Sequence, residues 1–413
     1  MSEILHVTPV MPVDEHHIEY ALDSSSCAGS LATSWVPGPV SSAMMRMVPF
    51  LRRHVRRDPV RLRCRRLAKH FWPDIRRMVD LRGGLQETDL LAHDAFFERI
   101  DLAASRLVTQ RTSLVIGREF GCASTFSRAR ECGAGRVYHL PTTHHARLQR
   151  ILGIEQEQFP DVCSATFVES EFQPGRLQRC QQEIELADRI ICPSQFVRES
   201  LVEAGVDENK INLVPFGCET SWIDQKRGPD GNTFVFVGNI SARKGAHRLL
   251  RAWKSLKAHH SHRLLLIGDM HLTPGFLKDF RGVYEHVPRM PREDLRDVYL
   301  NAQALVLPAL AEGFALVILE ALSCGTPVLA SRNSGAEGFL TNGEDAMLYE
   351  AQNDEALCQT LDFALRHPAE LRQIGACGRS KARGWSWKSF EQKFMEAIRP
   401  MMYNAKDENL RMK

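Results

Sequence analysis

Val306-Leu-Pro-Ala-Leu-Ala-Glu312-Gly-Phe-Ala-Leu-Val-Ile-Leu-Glu320-Ala-Leu-Ser-Cys-Gly325-Thr-Pro327-Val-Leu-Ala330 is the stretch that decides how this chain folds. An apolar run ends at Pro308, a short loop carries Glu312 and Gly313, and a second apolar stretch runs to Gly325, where Thr326-Pro327 opens another Val/Leu run. Strand, loop, apolar helix and strand start, in that order, make a parallel βαβ unit buried on both faces. The spacing places Glu312 at the helix start and Glu320 eight residues on, just over two turns, so both carboxylates face nearly the same side. Gly313 permits close backbone approach, and the free amides of the helix start form an anion site. In isolation the pair would read as a dipole-complementing Glu312 and a solvated Glu320. Set between these particular elements, it reads as a site.

The same rhythm extends outward in both directions. Apolar runs at Thr233 to Val237, Arg263 to Ile267, Val283 to Val287, Ala304 to Leu307, Pro327 to Ala330 and Ala346 to Tyr349 alternate with stretches of helical period. Upstream the runs are Ile4 to Val10, Ser30 to Trp35, Ser113 to Ile116, Arg136 to Leu140, Arg189 to Cys192 and Asn212 to Pro215. A polar stretch, Gly217 to Gly231, lies between the two sets and reads as a linker. The expected fold class is therefore α/β, with two doubly wound Rossmann-like domains facing an interdomain cleft. The first spans residues 1–217, the second 228–390, and a final helix over 391–413 returns to the first. Ligands in such sheets bind outside the carboxyl ends of the strands, which puts the site in the cleft.

A second motif, Phe234-Val-Phe-Val-Gly238-Asn239-Ile-Ser-Ala-Arg243-Lys244-Gly245, ends a strand at Gly238 and opens a helix near Lys244-Gly245. Two cationic side chains beside a helix start suit a diphosphate leaving group, although a solvated basic loop would read the same way locally.

On these motifs the chain resembles the retaining GT-B glycosyltransferases of the group 1, or family 4, type, whose mark is two glutamates separated by seven residues. The resemblance runs from about Ala187 to Trp387. It implies that Glu312 contacts hydroxyls of a donor sugar, that Glu320 holds the nucleotide ribose, and that amides at Gly313, Phe314 and Ala315 lie near the diphosphate. Gly238, Arg243 and Lys244 complete the donor site, with Lys244 and Glu312 in catalytic roles. Arg289, in Val287-Pro-Arg289-Met-Pro291, corresponds to a loop against the base; a surface proline turn explains it equally well. Relatives usually carry an arginine directly after the strand-ending glycine. Here Asn239 takes that place, and Arg243 is the candidate for the missing charge.

In the first half, Val137-Tyr-His139-Leu-Pro141-Thr-Thr-His144-His145 follows a strand. The resemblance implies a histidine near the reacting anomeric centre, a role assigned to His144 ahead of His145, with His139 packed inside the strand. Glu155, Glu157 and Arg147 either line the acceptor cleft or form a solvated face. Ser194 reads as a helix N-cap. The glycine-rich first loop of many relatives is replaced by Pro9-Val-Met-Pro12-Val-Asp-Glu-His16.

Composition narrows the classes further. With 413 residues, 44% hydrophobic and 25% charged, the chain is globular, and its net charge of +3 makes any basic surface local. The basic run from Arg46 to Arg77 reads as a solvated face or as a contact with anionic lipid headgroups. RNA ranks last, since no RRM, KH or zinc pattern accompanies the charge, and no nucleic-acid partner is expected. The 11 Cys are scattered, with no C-x-x-C pair and no zinc spacing, which suits free thiols in a reducing compartment. No D-x-D occurs, and no metal or other cofactor is expected beyond a nucleotide-diphosphate sugar as co-substrate. No G-x-G-x-x-G follows a strand, which disfavours a dinucleotide-dependent oxidoreductase. The sequence thus implies a retaining, metal-independent glycosyltransferase acting on a saccharide or lipid-linked acceptor, in polysaccharide, glycolipid or lipopolysaccharide synthesis. It would be cytoplasmic, with peripheral attachment to the inner face of the membrane; the alternative is a nucleotide-sugar-binding protein of the same fold without turnover.

Overall fold

The structure, a computed structural model, describes residues 3–8, 28–33, 66–69, 87–162 and 172–411, apart from 219, 226, 229–230 and 289. Among these, thirteen strands form two wholly parallel sheets.

The first sheet contains β1 (Glu3–Thr8), β2 (Ala28–Thr33), β3 (Arg66–Lys69), β4 (Thr112–Arg118), β5 (Gly135–His139), β6 (Arg189–Cys192) and β7 (Ile211–Leu213), in the order β3-β2-β1-β4-β5-β6-β7. Its described helices are α1 (Glu87–Ser105), α2 (Ala123–Glu131), α3 (His145–Gln158), α4 (Pro174–Leu186) and α5 (Gln195–Glu203). The second sheet contains β8 (Thr233–Val237), β9 (Arg263–Ile267), β10 (Glu285–Val287), β11 (Ala304–Leu307), β12 (Val328–Ser331) and β13 (Met347–Tyr349), in the order β10-β9-β8-β11-β12-β13. It carries α6 (Ala246–Ser255), α7 (Arg292–Asn301), α8 (Leu316–Ser323), α9 (Asp354–Arg366) and α10 (Pro368–Ala382), and α11 (Trp387–Arg411) closes the chain.

Each of the twelve expected apolar runs contains a strand, because Val, Ile and Leu suit a sheet covered on both faces. The basic run from Arg46 to Arg77 lies outside the described residues except for Arg66–Lys69. Those four residues pair with β2 as an edge strand, Ser30 opposite Arg66, and are not part of a continuous helical face. Charged residues are what an edge strand tolerates, and they hid this strand from a hydrophobicity reading.

In each sheet the strand order reverses once, between β1 and β4 in the first and between β8 and β11 in the second. The loops after β8 and β11 therefore border the crevice where doubly wound sheets take ligands.

Cys218 donates its amide to Trp385 O at 2.7 Å, which brings the crossing segment beside the start of α11. From there α11 packs against β4 and β5, with Phe390 and Phe394 fully buried. The two halves also meet directly. Ile151 of α3 and Phe196 of α5 share a small apolar cluster with Leu310 and Ala311 after β11.

Candidate active site

The site grows from the two loops at the reversal of the second sheet. At the end of β8, Gly238 has φ +127° and Gly268, at the end of neighbouring β9, φ +141°; a Cβ on Gly268 would overlap the Gly238 carbonyl. Only glycine fits both demands. The chain then turns through Ser241 to Gly245, whose φ of +70° sets the N-cap of α6 and whose own Cβ would overlap the Pro308 carbonyl. Leu310 donates its amide to Arg243 O at 2.8 Å. The loop after β8 is thereby pressed onto the loop after β11.

That docking brings the predicted charges together. Lys244 Nζ lies 2.8 Å from Glu312 Oε2, and Arg243 Nη2 lies 3.4 Å from Glu312 Oε1. The Glu312 side chain is 11% exposed, and its buried Oε1 accepts no hydrogen bond. Burial pushes the Glu312 carboxyl up, yet Lys244 and then Arg243 outweigh it and hold it below the ordinary value. Asn239 is exposed at the strand end.

Helix α8 begins at Leu316, later than the sequence spacing suggests. Tertiary hydrogen bonds explain the delay: the Glu312 amide donates to Asn333 O at 2.9 Å and the Ala315 amide to Ser334 O at 3.1 Å. Glu312 therefore stands on a loop, and a shared helical face does not relate it to Glu320. The Ala315 amide is already engaged. Phe314 buries its ring between Phe216 and Phe339, at centroid distances of 5.7 and 5.0 Å. Gly313 is needed for a reason internal to the protein, since a Cβ there would overlap the Pro141 carbonyl of the loop after β5. Glu320, on α8, accepts from Tyr299 Oη at 3.3 Å and stands 4.0 Å from Arg292 Nη2. Burial raises its carboxyl, with Arg292 and Tyr299 offsetting part of the rise.

Across the cleft, His144 is the N-cap of α3. Its amide donates to Ser200 Oγ at 3.0 Å, and its Nδ1 accepts from the Ala146 amide at 3.2 Å. An accepting Nδ1 puts the proton of the neutral ring on Nε2, which is buried, with the Gln181 side chain acting on the ring. Burial, and next the adjacent His145 ring, push His144 down to about 4, so it is a neutral Nε2–H donor near pH 7. His139 is packed against Phe216 and Phe394. Ser194 caps α5, accepting from the Val197 amide at 3.3 Å. Of the three residues set along α3, Glu157 is exposed, Arg147 is bound to Glu203 and Phe196 O, and Glu155 is buried against the second domain. Arg147 and Glu155 are thus engaged by protein partners. Arg289 and the loop from Pro9 to His16 lie outside the described residues.

Residues 220–381 match the family model of the glycosyl transferases group 1. A D-inositol 3-phosphate glycosyltransferase of Rhodococcus opacus is 27% identical over 248 residues, 54% of this chain and 56% of that protein. An alpha-maltose-1-phosphate synthase of Mycolicibacterium smegmatis is 24% identical over 252 residues, 52% of this chain and 64% of that one. The chain thus spans little more than half the length of the curated relatives it matches. Over nearly its whole length the fold matches sucrose-phosphate synthase from Thermosynechococcus elongatus, with TM-score 0.63, 17% identity, and 98% and 100% of the two chains covered. Anabaena HepE in complex with UDP-glucose gives TM-score 0.62 at 13% identity, covering 97% and 100%. The chain has a GT-B-like fold, two Rossmann-like α/β domains facing a cleft.

Within this GT-B frame, four further residues matter. Tyr299 and Arg292 face Glu320, and the carbonyls of Asn333 and Ser334 hold the Glu312 loop. The polar segment Ser331-Arg-Asn-Ser-Gly335 was the available signal for the last two, but its partners are tertiary and leave no local pattern. Among the described residues, no group of three or more His, Cys, Asp or Glu side chains is placed to hold a metal ion, and no helix is long and apolar enough to cross a membrane.

Proposed function

We propose that this GT-B protein transfers a sugar from a nucleoside diphosphate sugar to an acceptor hydroxyl with retention of configuration. One observation carries the reading. A buried carboxylate, Glu312, keeps one oxygen free of hydrogen bonds beside two cations, at the carboxyl edge of a doubly wound sheet where it reverses. Such a group is prepared for a ligand that supplies hydroxyls to the glutamate and phosphate to the cations.

In this reading residues 1–217 form the acceptor side, 228–390 the donor side, and 391–413 complete the returning helix. Lys244 and Arg243 turn to the diphosphate, while Glu312 accepts a donor-sugar hydroxyl and Glu320 those of the ribose. His144 donates from Nε2 near the anomeric carbon. As the bond from that carbon to the phosphate oxygen breaks, its electron pair stays on the phosphate, where the cations stabilise it. The acceptor oxygen bonds to the carbon on the same face, and its proton passes to the leaving phosphate oxygen. No separate pair of catalytic carboxylates is required. The acceptor class is a saccharide or lipid-linked saccharide of polysaccharide, glycolipid or lipopolysaccharide synthesis, met on the cytoplasmic side of a membrane. The basic run from Arg46 to Arg77 supports that placement, and failure to sediment with anionic vesicles at low salt would remove it.

Thermal-shift panels of nucleoside diphosphates and their sugars identify the donor. With that donor, Glu312→Ala should lower transfer by about 100-fold or more while leaving the protein folded; a near-normal rate refutes the assignment. A second reading, binding of a nucleotide sugar without turnover, is favoured by the exposed Asn239 in place of a cation. Stabilisation by the donor with neither hydrolysis nor transfer would select it.

A further inference from the structure

Helix α3 carries His144 as its N-cap and, eleven residues on, Glu155. At about 1.5 Å per residue the two lie roughly 16 Å apart along one rigid element. Helix α6 starts directly after Lys244-Gly245, and its second and third residues are His247 and Arg248. Glu155 grips both. Its Oε1 is 2.5 Å from His247 Nε2 and accepts from Arg248 Nε at 2.7 Å, while Oε2 accepts from Arg248 Nη2 at 2.7 Å and Gln352 Nε2 at 3.0 Å.

The surroundings leave this carboxylate no freedom. Arg248 also donates to Asp354 Oδ1 at 2.6 Å and to Gln158 Oε1 at 3.0 Å. The Phe159 ring lies 4.7 Å from the Arg248 guanidinium and 5.0 Å from the His247 ring, and Glu155 is 2% exposed. Apolar contacts of Leu148 and Ile151 with Leu310 and Ala311 already hold the same two surfaces together. A buried ionic cluster beside such contacts adds direction more than adhesion, because desolvation cancels much of its attraction.

We propose that Glu155 is a positioning residue that fixes α3 against α6, so that the His144 end of one helix and the Lys244 end of the other keep a set separation across the cleft. The inference rests on the sugar-transfer reading for its catalytic consequence but not for its geometry. Donor-phosphate contacts belong to the second domain alone, so Glu155 acts on the chemical step and not on nucleotide affinity.

The test uses the full chain and its Glu155→Gln variant, with UDP and UDP-glucose as probes. The expected result is a UDP dissociation constant and a donor KM within about threefold of wild type, a kcat lower by about 100-fold, and a larger radius of gyration in solution scattering. A kcat within threefold of wild type overturns the proposal. So does an equal loss of UDP affinity and rate, which would mean that Glu155 only stabilises the donor domain. If the wild type neither binds UDP nor turns over UDP-glucose, the reading for that donor fails separately. The geometry is then decided by scattering and by hydrogen exchange over 246–255: unchanged values in the variant overturn it, and expansion with faster exchange supports it. Should Glu155→Gln not fold, Glu155→Asp keeps the charge and retracts it by one methylene, with the same outcomes.

Discussion

Two glutamates of this protein each sit between two basic side chains, and they are finished differently. Glu155, among His247, Arg248 and Gln352, has both oxygens saturated and almost no exposure. Glu312, between Lys244 and Arg243, has one oxygen in a 2.8 Å contact and the other without a hydrogen bond. Both carboxyls are held below the ordinary value, so charge alone does not separate them. Completeness does. A saturated cluster has nothing left to offer a ligand and fixes geometry, whereas an incomplete one at a sheet reversal has a bond to give.

The sharpest way to break this contrast is to remove the cation from the incomplete cluster. Lys244→Ala should lower transfer by about 10² to 10³, the usual cost of losing a charge aimed at a developing anion. It should also move Glu312. With its principal partner gone, burial pushes that carboxyl up, so the acid limb of the residual rate shifts to higher pH. A rate within a factor of about three of wild type would put Lys244 on the structural side with Arg248.

The saturated cluster answers to pH through stability. Burial pushes Glu155 up, but hydrogen bonds from His247 and Arg248 overcome it and take the carboxyl from 4.5 down to about 2. A folded-state value below the unfolded one means stability that is fully present above about pH 4.5 and lost as pH falls towards 2, on the order of 3 kcal/mol in all. The urea midpoints of wild type and Glu155→Gln should therefore differ at pH 7 and converge towards pH 3. A gap that stays constant across that range would show that Glu155 is not held ionised by its neighbours.

These two clusters also show where sequence reasoning stops. Glu312, Lys244 and Arg243 were legible because each follows an apolar strand by a few residues, and parallel sheets bring strand ends to one edge. Twelve strands were legible for the same reason, and β3 was not, since Arg66-Leu-Ala-Lys69 lacks an apolar run. The start of α8 was misplaced because the carbonyls of Asn333 and Ser334, about twenty residues away, take the amides that a helix start would otherwise leave free. Glu155 was set on the right helix with the wrong surroundings. Helical period gives a face but not what covers it, and the usable hint was His247-Arg248 interrupting the apolar side of α6, where both are buried.

Arg243 provides the smallest and most discriminating test. Its side chain is 37% exposed and 3.4 Å from Glu312 Oε1, so in the unliganded protein its ion pair is worth little. With a diphosphate bound and water excluded, the same charge should count for more, and Arg243→Ala should lower kcat/KM by about tenfold with no measurable change in melting temperature. If Arg243 supplies the charge that Asn239 does not, then adding Asn239→Arg to Arg243→Ala should recover most of that loss, because the end of β8 and the start of α6 border the same crevice. Recovery would make the two positions interchangeable sources of one charge. A full rate in Arg243→Ala alone would leave the diphosphate to Lys244 and the backbone, and would place Arg243 with the solvated cations of the surface.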